Sequence, residues 1–145
     1  MRLVVQRVDE AFTTLDGVVE NRIARGLLIF VAVEDNDTFE KAHKMALKVL
    51  KLRIFNDVSS KMNYSVQDIK GELLIISQFT LLADCLRGNR PSFLRSGEPI
   101  HAKKIYNEFV NYTYNETKLI KSGQFGSNIK VHSVNSGPAT FIIDM

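Results

Sequence analysis

Two short polar segments hold the residues whose types and spacing are best suited to chemistry. The first, Ser77-Gln78-Phe79-Thr80-Leu81, directly follows the apolar run 73–76. The second, Asn135-Ser136-Gly137-Pro138-Ala139-Thr140, separates two strand-like runs near the C-terminus. Polar groups at a strand end, and a conformationally special bond between two strands, are typical of functional sites. We therefore expect a site where these segments lie.

The first segment has two interpretations. Hydroxyl groups and backbone N–H groups at a strand end can stabilise a carbonyl oxygen that becomes negative in a transition state. Phe79 can offer a stacking face to a nucleobase. Alternatively, Ser77 and Thr80 satisfy loose backbone groups while Phe79 simply packs.

The second segment also has two interpretations. Gly137 leaves the backbone free to adopt unusual directions, and Pro138 makes a cis peptide accessible, so the pair could form a rigid steric gate. It could equally be a plain tight turn. Arg7 lies within an apolar strand-like run, where a guanidinium requires acceptors that turn carbonyls could provide, although a surface position is the simpler interpretation.

The common catalytic motifs are missing. The three histidines are scattered, without zinc-ligand spacing, and the sequence contains neither a G-x-S-x-G elbow nor a Gly-rich phosphate loop. Asp84 is the only carboxylate close to the first segment. We therefore expect no metal and no cofactor, and little acid–base catalysis by side chains.

Composition indicates an ordinary globular protein. Of 145 residues, 45% are hydrophobic and 24% are charged, and the formal net charge is +3. No apolar run approaches the length of a membrane span. Cys85 is the only cysteine, so an internal disulfide is impossible and a reducing, cytoplasmic location is expected.

Two groups of basic residues are candidate contacts for nucleic acid. Arg87, Arg90 and Arg95 follow the first segment closely enough to contact a phosphate, or they are simply solvated. Four lysines recur at helical spacing, which is more typical of a solvated helix face: Lys41, Lys44, Lys48 and Lys51.

The strands are indicated by apolar runs and turn residues. Asp16-Gly17 between apolar runs predicts a β-hairpin. The runs 27–33 and 72–79 are apolar on both faces, which predicts covered central strands. The last strands are predicted at 129–134 and 139–143, separated by the Gly-Pro turn.

Two helices are predicted between these strands. Asp37 with Glu40 has the form of a capping box, and Pro99 suits the first turn of a second helix. The apolar stripes contain Ala42, Met45, Ala46, Val49 and Leu50 in the first helix, and Ile100, Ile105, Tyr106, Phe109 and Val110 in the second. We expect a single mixed α/β domain over residues 1–145, with both helices on one side of the sheet.

The chain resembles the D-aminoacyl-tRNA deacylase family over its whole length. The most specific motifs are SQFTL at 77–81 and NxGPxT at 135–140, which occur together at the expected separation. Further matching segments are Gln6-Arg7-Val8, Gly26-Leu27-Leu28, Arg53-Ile54-Phe55, Lys61-Met62-Asn63, Arg87-Gly88, Arg90-Pro91-Ser92-Phe93 and Gly123 to Gly126.

The resemblance implies β/β/α-layered subunits that form a homodimer with an active site at each subunit interface. The SQFTL end of one chain would face the Gly-Pro turn of the other. The implied reaction is hydrolysis of the ester joining a D-amino acid to the 3′-terminal adenosine of tRNA, a proofreading step in translation. Glycyl-tRNA is also an expected substrate, because glycine has no side chain for a steric gate to reject.

The resemblance also implies a role for each matching residue. Thr80 and Ser77 are implied as catalytic residues, with the Thr80 hydroxyl beside the scissile ester. The implied substrate-binding residues are Gln78 and Phe79 at the nucleoside and ester, Gly137 and Pro138 as a cis gate, Arg7 as its tether, and Phe125 and Gly126 as pocket wall. A binding module that holds tRNA ends without turnover is the alternative.

Overall fold

The computed structural model describes residues 1–86 and 88–145 as eight strands, two α-helices and one 3₁₀ helix. The strands are β1 (Arg2–Leu15), β2 (Val18–Ile23), β3 (Gly26–Ala32), β4 (Phe55–Asn56), β5 (Met62–Tyr64), β6 (Glu72–Ser77), β7 (Ile120–Ser122) and β8 (Lys130–Asp144). The helices are α1 (Phe39–Leu50), the 3₁₀ helix Phe79–Leu82 and α2 (Pro99–Glu116).

The β1–β2 hairpin turns at Asp16 and Gly17. Their φ angles are 49° and 82°, and Leu15 pairs with Val18 across the turn. Both central residues of such a two-residue turn need positive φ, which Asp and Gly tolerate best. The predicted hairpin is confirmed.

One six-stranded sheet organises the molecule around β1. Its strand order is β2-β1-β3-β6-β7. β2 and β3 pair with different parts of one edge of β1, and β8 pairs with the opposite edge. β3 runs antiparallel to β1 and parallel to β6, which in turn runs parallel to β7. The predicted central strands are confirmed: nearly every residue of β3 and β6 is buried, because apolar side chains cover both faces.

Both α-helices pack on the same face of this sheet. The larger core contains Met45 of α1, Phe109 of α2 and Leu27 of β3, all fully buried. A smaller core on the opposite face contains Val8, Leu28 and other apolar residues of the curled sheet. The predicted mixed α/β architecture with two helices on one side is confirmed.

The start of each helix differs in detail from the sequence prediction. The N-cap of α1 is Thr38, whose hydroxyl accepts from the Lys41 N–H at 3.2 Å, so the prediction that Asp37 caps the helix was wrong. The Asp37 carboxylate is instead buried against the Met1 ammonium at 2.8 Å. In α2, Pro99 occupies the first turn as predicted, but Ile100 is 65% exposed and does not belong to the buried stripe.

The last two predicted strands form a single strand, β8, interrupted by a bulge. Thr140 pairs with Gln6, and Asn135 pairs with Val8, so residues 136–139 all lie opposite Arg7. A bulge leaves its extra residues out of the ladder and bends the strand. The second polar segment is therefore held within the sheet rather than at its end.

Candidate active site

The Ser77–Leu81 segment leaves the sheet earlier than predicted. β6 ends at Ser77, and Gln78 turns the chain with φ −147° and ψ 78° while its N–H donates to the Val31 carbonyl at 2.8 Å. Phe79 extends the apolar pattern of the sequence, but it begins the 3₁₀ helix and is 54% exposed. The prediction of a strand through Phe79 was therefore wrong at its end.

This turn leaves two backbone donors free. The first N–H groups of a helix lack intrahelical acceptors. The N–H groups of Phe79 and Thr80 have no hydrogen-bond acceptor among residues 1–86 and 88–145. Two adjacent free donors at an exposed turn can bind an oxygen that carries negative charge.

A cleft of about 710 Å³ opens beside this turn. That volume lies within the usual range of small-molecule sites, roughly 300–1,000 Å³. Five of the predicted site residues line it: Ser77, Gln78, Phe79, Phe125 and Gly126. Sequence reasoning missed the residues that line it from the start of α2 and the loop before that helix, including Ser96, Glu98 and Ala102.

Aromatic and polar contacts hold the mouth of the cleft. The Phe79 and Phe93 rings meet edge to face, with centroids 5.0 Å apart, a geometry that aromatic quadrupoles favour. The Ser96 hydroxyl donates to the Phe79 carbonyl at 3.3 Å. The side chain of Glu98 accepts from the N–H groups of Ile100 and His101 at 3.0 Å and so caps α2.

A second part of the cleft wall, formed by the loop that follows β7, is anchored by a buried tyrosine. The Tyr106 hydroxyl lies 3.0 Å from the carbonyl oxygens of Ile75 and Gly123, to which it can donate its one proton. Burial raises the pKa of this hydroxyl, which keeps it protonated. The Gly123 N–H also donates to the Ile75 carbonyl, at 2.9 Å. This bond and the Tyr106 hydroxyl together hold the wall against β6.

Thr80 lies one residue beyond the lining of the cleft. It is exposed on the 3₁₀ helix, and its hydroxyl accepts a hydrogen bond from the Gln78 amide. That bond orients the Thr80 hydroxyl next to the free backbone donors of the same turn.

The second polar segment forms a separate, exposed feature on β8. The Gly137–Pro138 peptide is cis, and both residues are exposed. Arg7 donates through Nε to the Ser136 carbonyl at 3.0 Å and through Nη1 to the Ile54 carbonyl at 2.8 Å. Arg7 thus joins the bulge to the chain just before β4.

The structure brings the predicted residues together in two groups rather than one. Ser77, Gln78, Phe79, Phe125 and Gly126 surround the cleft, with Thr80 adjoining. Arg7, Gly137 and Pro138 lie together at the bulge and do not line the cleft of their own chain.

The basic groups singled out in the sequence have mixed roles. Arg95 pairs with Glu34 at 2.8 Å, and Lys41 and Lys44 pair with carboxylates on their own helix or at its start. Arg90 is exposed, whereas Arg87 lies outside the described residues.

The described part of the chain has no cluster of three or more His, Cys, Asp or Glu side chains suited to a metal ion. Neither α-helix in that part has the length and apolarity to cross a membrane.

Sequence comparisons identify the family of the chain. The sequence model of the D-Tyr-tRNA(Tyr) deacylase family matches residues 4–144. Relatives named D-aminoacyl-tRNA deacylase include those of Thermosipho africanus, 45% identical, and Syntrophus aciditrophicus, 43% identical. Each of these alignments covers 99% of this chain and 97% of the relative.

Two solved structures share the fold of this chain. A structure described as a c-Myc DNA unwinding element binding protein matches with a TM-score of 0.94 and 36% identity, covering 100% of this chain and 99% of the other. A probable eukaryotic D-amino acid tRNA deacylase, 16% identical, shares the fold with a TM-score of 0.89 over 99% of this chain and 98% of its own. The chain belongs to the D-Tyr-tRNA(Tyr) deacylase family.

Proposed function

We propose that this chain hydrolyses the ester bond of D-aminoacyl-tRNA and releases the free D-amino acid and tRNA. The observation that carries the proposal is the full-length match to relatives named for this reaction. The cleft beside the Ser77–Leu81 turn supplies a site of suitable size. Because the substrate is an intermediate of translation, a cytoplasmic location is favoured. We also propose that residues 1–145 act as one domain.

The cleft suits the aminoacylated end of the tRNA. We assign the terminal nucleoside and the ester to Ser77, Gln78 and Phe79, because these residues line the cleft and Phe79 presents an exposed ring for stacking. Phe125 and Gly126, in the loop that follows β7, form another part of the cleft wall.

The chemistry requires few groups from the protein. Water adds to the ester carbonyl and loses one proton to the solvent, and the carbonyl oxygen becomes negative as the tetrahedral intermediate forms. The free N–H groups of Phe79 and Thr80 are placed to stabilise that oxygen. The bond to the ribose oxygen then breaks, this oxygen takes the second proton of the added water, and the amino acid leaves as its carboxylate. An aminoacyl ester is already reactive, so positioning with charge stabilisation is sufficient.

Thr80 is the catalytic hydroxyl in this proposal, beside the scissile ester, with Ser77 at the strand end. The vicinal ribose hydroxyl assists the departure of the leaving group, so Thr80 need not form a covalent intermediate. The Gln78 amide fixes the direction of the Thr80 hydroxyl.

Selection of the D-form requires a rigid wall. An apolar pocket distinguishes one methyl group by only about 1–3 kcal/mol. We propose that Gly137 and Pro138, tethered by Arg7, form that wall in the cleft of a second copy of the chain. Their exposure, and their separation from the cleft of their own chain, support this arrangement.

An apolar row that ends in an exposed residue supports assembly into a homodimer. Phe30, Val4 and Ile142 are aligned across β3, β1 and β8 on the sheet face away from the helices, and Ile142 is 68% exposed. Val134, on the same strand, is 51% exposed. Exposed apolar residues grouped on a sheet face and its edge strand typically mark an interface.

The first experiment separates an enzyme from a binding module. Purified protein is incubated with D-tyrosyl-tRNA, L-tyrosyl-tRNA and glycyl-tRNA, and the remaining ester is measured. We expect hydrolysis of the D-ester, some hydrolysis of the glycyl ester and none of the L-ester. Thr80→Ala should slow hydrolysis while tRNA binding survives, whereas tRNA binding by the wild type without turnover would establish the binding module.

A mixing experiment tests the shared site. Wild type is co-expressed with a chain carrying both Thr80→Ala and Pro138→Ala, so about half of the dimers are mixed. If the gate enters the partner's cleft, mixed dimers contain a site with Thr80 but an altered gate, and hydrolysis of L-tyrosyl-tRNA arises only in the mixture. Co-expression with Thr80→Ala alone is the control. A mixture that stays selective for the D-form would show that cleft and gate belong to one chain.

A further inference from the structure

A second cavity adjoins the cleft and has no role in the proposed hydrolysis. Its volume is about 330 Å³, and it shares Gly123, Gln124 and Phe125 with the cleft. These three residues therefore form a ridge between two neighbouring cavities. A ligand that extends out of the cleft across this ridge enters the second cavity.

The ridge is a fixed boundary. The Tyr106 hydroxyl lies within hydrogen-bond distance of the Gly123 carbonyl. The centroids of the Tyr106 and Phe125 rings are 5.7 Å apart. The Gln124 carbonyl accepts from the Ser127 N–H at 3.3 Å. A ligand crossing it meets a surface whose shape is set before binding, which reduces the entropic cost of association.

The second cavity carries polar groups without partners. Lys103 and Asn107 lie one turn apart on α2, and Glu20 and Asn21 come from β2. Glu20, Lys103 and Asn107 are exposed and Asn21 is half-buried. Within residues 1–86 and 88–145, none of the four side chains makes a hydrogen bond or ion pair. One ammonium, two amides and one carboxylate thus face a space large enough for one nucleotide.

We propose that this cavity binds the nucleotide that precedes the terminal adenosine of the tRNA substrate. The inference rests on the proposed function, which places the terminal adenosine in the cleft. The Lys103 ammonium suits the phosphodiester that joins the two nucleotides. The Asn21 and Asn107 amides suit base edges, and the Glu20 carboxylate accepts from an exocyclic amine. Cytosine, the base before the terminal adenosine in tRNA, presents such an amine.

Two substrates of different length test the proposal. D-tyrosyl-tRNA contains the preceding nucleotide, whereas the 3′-D-tyrosyl ester of adenosine does not. Lys103→Ala should lower kcat/KM for D-tyrosyl-tRNA about ten-fold, through KM, and leave the adenosine ester unchanged within about two-fold. Asn107→Ala should act on the same substrate alone, by about three-fold.

Lys104→Ala is the matched control. Lys104 is an adjacent, exposed lysine of the same helix that does not line the cavity, so its removal changes the net charge equally. Selective loss of D-tyrosyl-tRNA hydrolysis in Lys103→Ala, but not in Lys104→Ala, supports the proposal. Equal losses on both substrates, no loss on either, or the same loss in Lys104→Ala would overturn it. Wild-type protein that hydrolyses neither substrate would instead refute the proposed function.

Discussion

Replacing Gly137 by alanine tests whether Arg7 and the β8 bulge act as one unit. Gly137 has φ 124°, a region that residues with a side chain rarely occupy, and an added Cβ would lie 2.6 Å from Arg7 Nη2. The end of an arginine usually moves easily. Here Nε and Nη1 are hydrogen-bonded to the carbonyls of Ser136 and Ile54, so relieving the contact breaks at least one of these bonds.

Two separate costs follow from this geometry. The backbone conformation costs an alanine about 1–3 kcal/mol. Loss of a hydrogen bond to the Arg7 guanidinium costs a further 1.5–3 kcal/mol or so. We therefore expect Gly137→Ala to lower the free energy of unfolding by roughly 2.5–6 kcal/mol.

The assay is urea unfolding at one fixed protein concentration, in the wild-type and Arg7→Ala backgrounds. Without Arg7 the contact disappears, so Gly137→Ala should then cost only its backbone share, about 1–3 kcal/mol. Hydrolysis of L-tyrosyl-tRNA should rise in Gly137→Ala more than hydrolysis of the D-ester falls. An identical cost of the substitution in both backgrounds would refute the coupling of Arg7 to the bulge.

Three further predictions concern stability. Asp37→Asn should lower the free energy of unfolding by about 1–3 kcal/mol in urea titrations, because it removes the fully buried one of the two carboxylates that pair with the Met1 ammonium; the exposed Glu40→Gln, measured alongside, should have a much smaller effect. Tyr106→Phe should cost about 1–2 kcal/mol and raise KM, since it frees the Gly123 carbonyl; an unchanged KM would show that the wall stays in place without that hydroxyl. Hydrogen bonds and ion pairs lower the pKa of Glu34 and of Asp144. Their contribution to folding stability is therefore complete above the unfolded pKa values, about 4, and is lost as pH falls through the folded values; a Tm that did not fall between pH 6 and 3 would contradict this.

Features set by local sequence were predictable. The Asp16-Gly17 turn depends on two adjacent residues, and the burial of β3 follows from its unbroken apolar run. The first turn of α2 follows from Pro99 alone. In each case the residues that determine the structure lie next to one another in the chain.

Features set by distant contacts were not predictable. The three-residue strand β7 exists because it pairs with β6, and its sequence has no strand pattern of its own. The sequence predicts two strands in place of β8, because the Gly-Pro segment has the composition of a turn. In the structure, Arg7 lies opposite the bulge and binds it, and β1 pairs with β8 on both sides of the bulge. The cleft likewise combines Phe79 with Phe125, which only the folded chain brings together.

The pairing of β1 with β8 has a consequence for how the protein is made. The two strands lie more than a hundred residues apart, and their ladder extends from Arg2–Asp144 to Thr14–Lys130. During synthesis, one edge of β1 therefore stays unpaired until the residues of β8 have emerged from the ribosome. Such long-range pairing slows folding and exposes the unpaired edge to incorrect strand pairing. We therefore expect newly synthesised chains to depend on chaperones.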